Sequence, residues 1–178
     1  MVVKEVDCNK KESDNMYRYT ICFLKHRNGI LMLNRNKSPL MGLWNGVGGK
    51  LEHGETPLDS VLREVREETG ILLETACYKG IVSWLVDGVE TGGMYAFLAH
   101  LPEDCERNQT PQAVEEGILD WKELAWVLDP DNAGVPENLP MFLPYMLEEV
   151  DPCQHFFTYK NNQVVNYETA PLQKPVTT

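Results

Sequence analysis

The chain has little of what a cross-linked, membrane-embedded or nucleic-acid-coating protein needs. Its five cysteines (Cys8, Cys22, Cys77, Cys105 and Cys153) are odd in number and scattered, with no C-x-x-C pair. Neither a disulfide framework nor a zinc site is expected from that set, and a reducing, cytoplasmic setting is. No apolar run approaches the roughly 18 residues of a membrane span, and the N-terminus lacks the apolar core of a signal peptide. Basic residues are scarce: 16 Lys and Arg stand against 27 Asp and Glu, a formal net charge of −11. So negative a surface repels anionic membranes and polymeric nucleic acid, whose phosphates require clustered cations. Small polyanions remain admissible where a few local cations and metal ions offset the field. The expected partner is therefore a small molecule, with the chain a monomer or a homodimer.

What is present suits one soluble domain. The 178 residues are 43% hydrophobic and 24% charged, ordinary values for a chain long enough to bury a substantial core. Residues 1–15 and 169–178 read as flexible tails around a domain spanning 16–168. Within it, Tyr17–Leu24 and Ile30–Leu33 read as strands around the turn Arg27-Asn28-Gly29, and Tyr78–Val86 and Gly93–Leu101 as a second pair around Asp87-Gly88. Residues 102–114 read as a loop before a short strand ending at Trp121. Lys122–Leu128 and Leu139–Val150 read as helices, and His155–Lys160 with Gln163–Tyr167 as a hairpin across Asn161-Asn162. Strands interspersed with few helices predict a mixed α/β domain.

The densest chemistry lies between Gly49 and Ile71, GKLEHGETPLDSVLREVREETGI. Thr56 suits an N-cap, Pro57 the first helical position, Asp59 the first turn and Gly70 a left-handed stop. Leu58, Val61, Leu62 and Val65 recur at helical spacing and form one apolar stripe. Glu64, Glu67 and Glu68 then fall three and four residues apart, where like charges repel by a few tenths of a kcal/mol per pair. They also sit near a helix C-terminus, whose dipole disfavours negative charge. A solvated charged face is the commoner meaning of such a run; here the cost makes sense if hard cations bound through oxygen lie among the carboxylates, Mg²⁺ being the usual one beside phosphates. Upstream, Gly46, Gly48, Gly49 and Gly54 form a loop that lets backbone approach a ligand closely. Arg63, four residues before Glu67, can orient or neutralise it.

With Gly49, Glu55, Arg63, Glu64, Val65, Glu67, Glu68, Gly70 and Ile71, the segment matches G-x5-E-x7-R-E-U-x-E-E-x-G-U at every constrained position, U being apolar. This is the signature of the Nudix hydrolases, and the chain resembles that family. The resemblance implies a mixed β-sheet sandwiched between α-helices, and Mg²⁺-dependent (Mn²⁺ is possible) hydrolysis of a nucleoside diphosphate linked to another group. It implies Glu64, Glu67 and Glu68 as metal ligands, joined by the Gly48 carbonyl, with Glu64 or Glu67 handling the attacking water. Glu55 and Arg63 support that set. Glu116, five residues before Trp121, fits the spacing of a further glutamate ligand or base in MutT-like members, with Glu115 as the fallback.

For the substrate, Gly42-Leu-Trp44-Asn45-Gly46-Val-Gly48-Gly49-Lys50 is similar to MutT-type enzymes that clear oxidised purine nucleoside triphosphates. Asn45 can offer a donor and an acceptor to a purine edge, although a turn residue is its bland alternative, and core packing is that of Thr20 and Trp44. Thr20 matches a second pocket position, and Arg35 and Lys50 are cations placed to meet phosphates. Val135-Pro136-Glu137-Asn138 stands where the mammalian enzymes carry an aromatic residue, proline and two aspartates; it keeps Glu137 and Asn138 as polar candidates but no stacking ring. An 8-oxo-dGTP diphosphatase of bacterial MutT type is the leading expectation. A Nudix pyrophosphatase for ADP-ribose, a dinucleotide or capped RNA is one alternative, and a non-catalytic nucleotide sensor the other.

Other motifs fail on inspection. Gly46–Lys50 is no P-loop, since Trp44 stands where its first glycine belongs and Leu51 where Ser or Thr belongs. Asp129–Gly134 opens like a calcium loop but has Pro140 in place of the closing glutamate. His26, His53, His100 and His155 have no zinc spacing and are expected at the surface.

Overall fold

The computed structural model describes residues 16–105 and 109–172. Residues 1–15 and 173–178, where most of the expected tails fall, lie outside the described residues. The elements run β1 Tyr19–His26, β2 Gly29–Arg35, β3 Trp44–Asn45, α1 Pro57–Thr69, β4 Cys77–Val86, β5 Glu90–His100, β6 Gln112–Val114, β7 Gly117–Glu123, α2 Leu124–Val127, α3 Leu139–Leu147, β8 Cys153–Lys160 and β9 Gln163–Pro171.

The nine strands among the described residues join one mixed sheet in the order β6-β7-β2-β1-β5-β4-β8-β9, with β3 paired to β2. β1 runs parallel to β5, and β4 parallel to β8. Helices cover both faces, which explains why the central strands ICFL and LML read as continuous apolar runs instead of alternating. In β1, Cys22 and Leu24 enter the core beneath α1 with Val61 and Val65, while Ile21 and Phe23 enter the core beneath α3 with Leu139, Phe142 and Leu143. β2 divides in the same way, Leu31 and Leu33 toward α1, Ile30 and Met32 toward α3. The expected mixed sheet between helices is the fold found.

The hairpin turns rest on residues that tolerate positive φ. Asn161 and Asn162 stand at 51° and 62°, and Asp87 and Gly88 at 49° and 75°. Three expectations are corrected. β6 lies inside the segment read as a loop, a short edge strand with exposed or half-exposed residues and so no periodic apolar signal. β9 continues to Pro171, three residues into the expected C-terminal tail, because its backbone pairs with β8 as far as Cys153. Finally, His26 and His155 are buried, not surface residues. The His155 ring stacks on Tyr167 and packs against Phe142 and Tyr145. No disulfide links Cys22, Cys77, Cys105 or Cys153. No described helix is long and apolar enough to cross a membrane.

Candidate active site at the acidic edge of the α1 helix

Helix α1 starts where the sequence says it should. Thr56 accepts from the Asp59 N–H at 3.1 Å while Asp59 accepts from the Thr56 N–H at 3.1 Å, a closed capping box. Gly70 ends the helix at φ 73°, its N–H donating to the Arg66 carbonyl at 2.9 Å. Between these stops the apolar stripe docks on β1, and Ser60, Glu64 and Glu68, each one turn apart, form a row leading from the buried side toward the glycine loop.

The loop is fixed to β1 by backbone. Thr20 N–H donates to the Gly49 carbonyl at 2.9 Å, and Cys22 and Val47 exchange bonds at 2.7 and 3.0 Å. This close approach requires glycine. Gly48 sits at φ 147°, with the Thr20 carbonyl where a Cβ would go. A Cβ on Gly49 would run into the Glu64 carboxylate.

Arg63 organises the anions. Its Nε and Nη2 grip the two oxygens of Glu55 at 2.6 and 2.9 Å, Nη2 also donates to the Lys50 carbonyl at 3.1 Å, and Nη1 reaches Glu64 at 2.8 Å and Glu67 at 3.2 Å. Glu55 in turn accepts from the Glu52 N–H at 2.8 Å. A planar guanidinium can hold several carboxylates at fixed angles where an ammonium cannot. The hydrogen bond from Arg63 holds the Glu55 carboxyl below the usual range. Arg63 itself is pushed above its ordinary value, first by Glu55 and then, against some desolvation, by Glu64.

The three helix glutamates differ in setting. Glu67 is open, its side chain 60% exposed. Glu64 is mostly covered, and burial pushes its carboxyl up despite Arg63. Glu68 is buried and accepts from the Gly48 N–H at 2.9 Å. Burial raises it to about 7; the Gly48 bond opposes this, while the charges of Glu64 and Glu116 add to it. Glu116, immediately before β7, is thus within electrostatic reach of Glu68. Arg35 is also within electrostatic reach, lowering Glu68, with its Nε held by the Pro39 carbonyl at 3.1 Å.

Among the described residues, no three Asp, Glu, His or Cys side chains stand converged as a ready-made metal centre. The fit to a hard cation rests instead on chemistry. The donors are all oxygen, and Glu68 is made hard to ionise by burial and two neighbouring anions, a penalty a divalent cation would remove.

The substrate candidates divide. Lys50 and Arg35 flank the acidic edge, Lys50 exposed and Arg35 half-buried. Asn45 precedes the glycine loop, and its Oδ1 accepts from the Gly46 N–H at 2.9 Å. The Trp44 N–H donates to the Gly134 carbonyl at 2.8 Å, which draws the loop carrying Glu137 and Asn138 toward β3. Glu137 is engaged elsewhere, accepting from the Val164 N–H at 3.1 Å; Asn138 caps α3 without a side-chain bond. Thr20 is 4% exposed and paired with Tyr95, which faces α1, and its hydroxyl has no hydrogen-bond partner. It lies inside the wall behind Gly48, away from the α3 face. Sequence reasoning missed Lys122, placed in a helix but found on β7 with its Nζ 3.9 Å from the Trp44 ring centre. The alternation of Leu119, Asp120, Trp121 and Lys122 was the available signal.

An arginine-clamped row of glutamates, facing a loop that only glycine can form, is the equipment of a hydrolase acting on phosphate anhydrides. Residues 16–150 match the NUDIX domain, and the chain belongs to the Nudix hydrolase family. It is 31% identical over 88% of its length to an uncharacterised Nudix hydrolase of Bacillus subtilis, covering 96% of that protein. It is also 27% identical over 84% of its length to the oxidised purine nucleoside triphosphate hydrolase of Mus musculus, covering 91% of it. Among solved structures, the MutT protein of Bacillus halodurans superposes with a TM-score of 0.70 at 27% identity, over 86% of this chain and 97% of that one.

Proposed function

We propose that the protein hydrolyses an oxidised purine nucleoside triphosphate, such as 8-oxo-dGTP, to the monophosphate and pyrophosphate, so clearing damaged nucleotides from the precursor pool. The observation carrying this is the cluster of Glu64, Glu67 and Glu68 around Arg63 and the Gly48–Gly49 loop, with Glu116, immediately before β7, within electrostatic reach of Glu68. Similarity to the mouse enzyme across most of both chains supports the substrate class.

In this reading Glu64, Glu67, Glu68, Glu116 and the Gly48 carbonyl hold Mg²⁺, with Mn²⁺ able to replace it. When bound, the ion supplies Lewis acidity and a more acidic water. The protein's own groups do the rest. Arg63 fixes Glu64 and Glu67 in direction. Glu67, the most exposed of the three, is open to water while held by Arg63 and takes the proton of the attacking water. Arg35 and Lys50 receive the phosphate chain, whose charge the acidic surface would otherwise repel. Asn45 and Asn138 stand toward the nucleoside, with Glu137 anchoring its loop to β9 through the Val164 N–H.

The test is a substrate panel with pyrophosphate and phosphate release followed separately. Faster turnover of 8-oxo-dGTP than of dGTP, with pyrophosphate as product, is expected; equal or slower turnover rejects the oxidised-purine reading. ADP-ribose belongs in the panel because a relative matched over 32% of the chain is named an ADP-ribose pyrophosphatase.

A further inference from the structure

A second cluster of charge lies against aromatic surface on the opposite side of the sheet from α1. Lys122 Nζ stands 3.9 Å from the centre of the Trp44 ring, 5.7 Å from that of Trp126 and 2.8 Å from Asp120 Oδ2. Asp120 and Lys122 pair with Met32 and Ile30, so both project on the α3 side. Burial pushes the Asp120 carboxyl up, but hydrogen bonds from Lys122 and Thr110 outweigh this and keep it ionised. The cluster is therefore a fixed cation beside a fixed anion.

One loop holds these parts together. Asn132 Nδ2 donates to the Trp126 carbonyl at 2.7 Å, and Asn132 Oδ1 accepts from the Gly134 N–H at 2.9 Å. Gly134, whose carbonyl accepts from Trp44, is pressed so close that an added Cβ would stand 3.2 Å from the Trp126 ring. Trp126 nevertheless leaves 39% of its surface to solvent. From Trp44 the chain needs only four steps to Gly48, a span of at most about 14 Å. A nucleotide with its phosphates at the acidic edge thus has an exposed indole and a charged donor–acceptor pair within its reach.

The pair has a chemical preference. Lys122 can only donate and Asp120 can only accept. A 6-oxopurine presents an acceptor at O6 next to the N1–H donor; lysine to O6 is a recurrent guanine contact, and O6 keeps its acceptor role in the 8-oxo form, where N7 carries a proton. A 6-aminopurine inverts this pattern at positions 6 and 1. We propose that Lys122 and Asp120 read the edge of a 6-oxopurine lying beside Trp126, and so determine which base the site accepts. This rests on the nucleotide-hydrolase reading above and adds the residues that select the base.

The experiment compares wild type with Lys122→Met, Lys122→Arg and Asp120→Asn. Two quantities are measured: kcat/KM for 8-oxo-dGTP and 8-oxo-dATP, and the binding of 8-oxo-dGMP and 8-oxo-dAMP by tryptophan fluorescence without metal. Wild type is expected to favour the guanine member in both. The guanine-to-adenine ratio should fall at least tenfold in Lys122→Met and Asp120→Asn, with Lys122→Arg retaining part of it. Equal losses for both bases would assign the pair a purely structural role and overturn the proposal, as would a wild type that binds both monophosphates alike. If Lys122→Met fails to fold, Lys122→Gln takes its place under the same criterion. A wild type that cleaves no triphosphate yet binds 8-oxo-dGMP selectively through Lys122 would sink the hydrolase reading and leave the base-reading assignment standing.

Discussion

The two faces of the sheet solve opposite problems. Under α1, polar groups are crowded against one another and restrained by a single guanidinium, so that Glu55, Glu64 and Glu67 all answer to Arg63. Under α3, the interior is a stack of rings, Phe23, Phe142, Phe157, Tyr167 and His155, with van der Waals contact as the main restraint. The first arrangement costs stability and is useful only if an anionic substrate and a cation come to it. The charge is confined to the rim of the first face, because beneath α1 too the sheet buries an apolar core that includes Leu24, Leu33, Val61, Val65 and Phe97.

The comparison breaks most visibly at Glu67. Glu67→Gln should lower kcat by about 10²- to 10⁴-fold, the usual worth of a positioned acid–base group, while thermal unfolding stays near wild type because the side chain is exposed. Near-normal turnover in steady-state assays would remove Glu67 from the mechanism. On the other face the effect should reverse in kind. Phe142→Ala should cost roughly 3–5 kcal/mol in urea unfolding, the range for deleting a buried aromatic ring, since Phe142 packs on Phe23 and Phe157. The fraction that stays folded should keep its kcat.

A pH experiment sharpens the contrast next. Burial holds His155 at about 4, below its ordinary 6.5, with its Nδ1 hydrogen-bonded to the Tyr167 hydroxyl at 2.8 Å. Above 6.5 both folded and unfolded chains carry it neutral, and its contribution is intact. As pH falls from 6.5 toward 4 the unfolded chain takes up the proton first, so stability is lost, by up to about 3 kcal/mol. Denaturant titrations at pH 7 and pH 4.5 should show this loss, and it should shrink in His155→Gln; an unchanged pH slope in that variant would clear the residue. The smallest effect is reserved for the clamp. Arg63→Lys keeps the charge but not the fork, and should cost about 10- to 100-fold in activity, as is usual for groups that orient ligands. Apparent metal affinity from activity titrations should weaken with it.

How much of this could be read from the chain follows the same division. The α1 side was legible because its geometry is local: cap, stripe, carboxylate spacing and stop all lie within Thr56–Gly70, and helical periodicity converts spacing directly into position. The central strands were legible as apolar runs, though which residue faces which helix needed the sheet. Across the sheet, the Trp44, Lys122 and Trp126 cluster joins residues from β3, β7 and α2, and no spacing in the sequence connects them. His155 was misjudged for a related reason, because a histidine's burial depends on Tyr145 and Tyr167 arriving from other elements. Thr20 was read as a pocket residue, but the parallel pairing with Tyr95 turns it toward α1.

That pairing bears on how the protein comes to exist at all. β1 is flanked on one side by β5, so a nascent chain that has emerged only through α1 carries its full set of glutamates with no completed sheet to seat them. Residues Tyr19–Lys25 must wait for Met94–His100 to leave the ribosome before that flank closes. Long waits of this kind slow folding and expose unpaired strand edges. Fragments ending before about residue 100 should therefore be aggregation-prone and inert, even though they include the entire family signature.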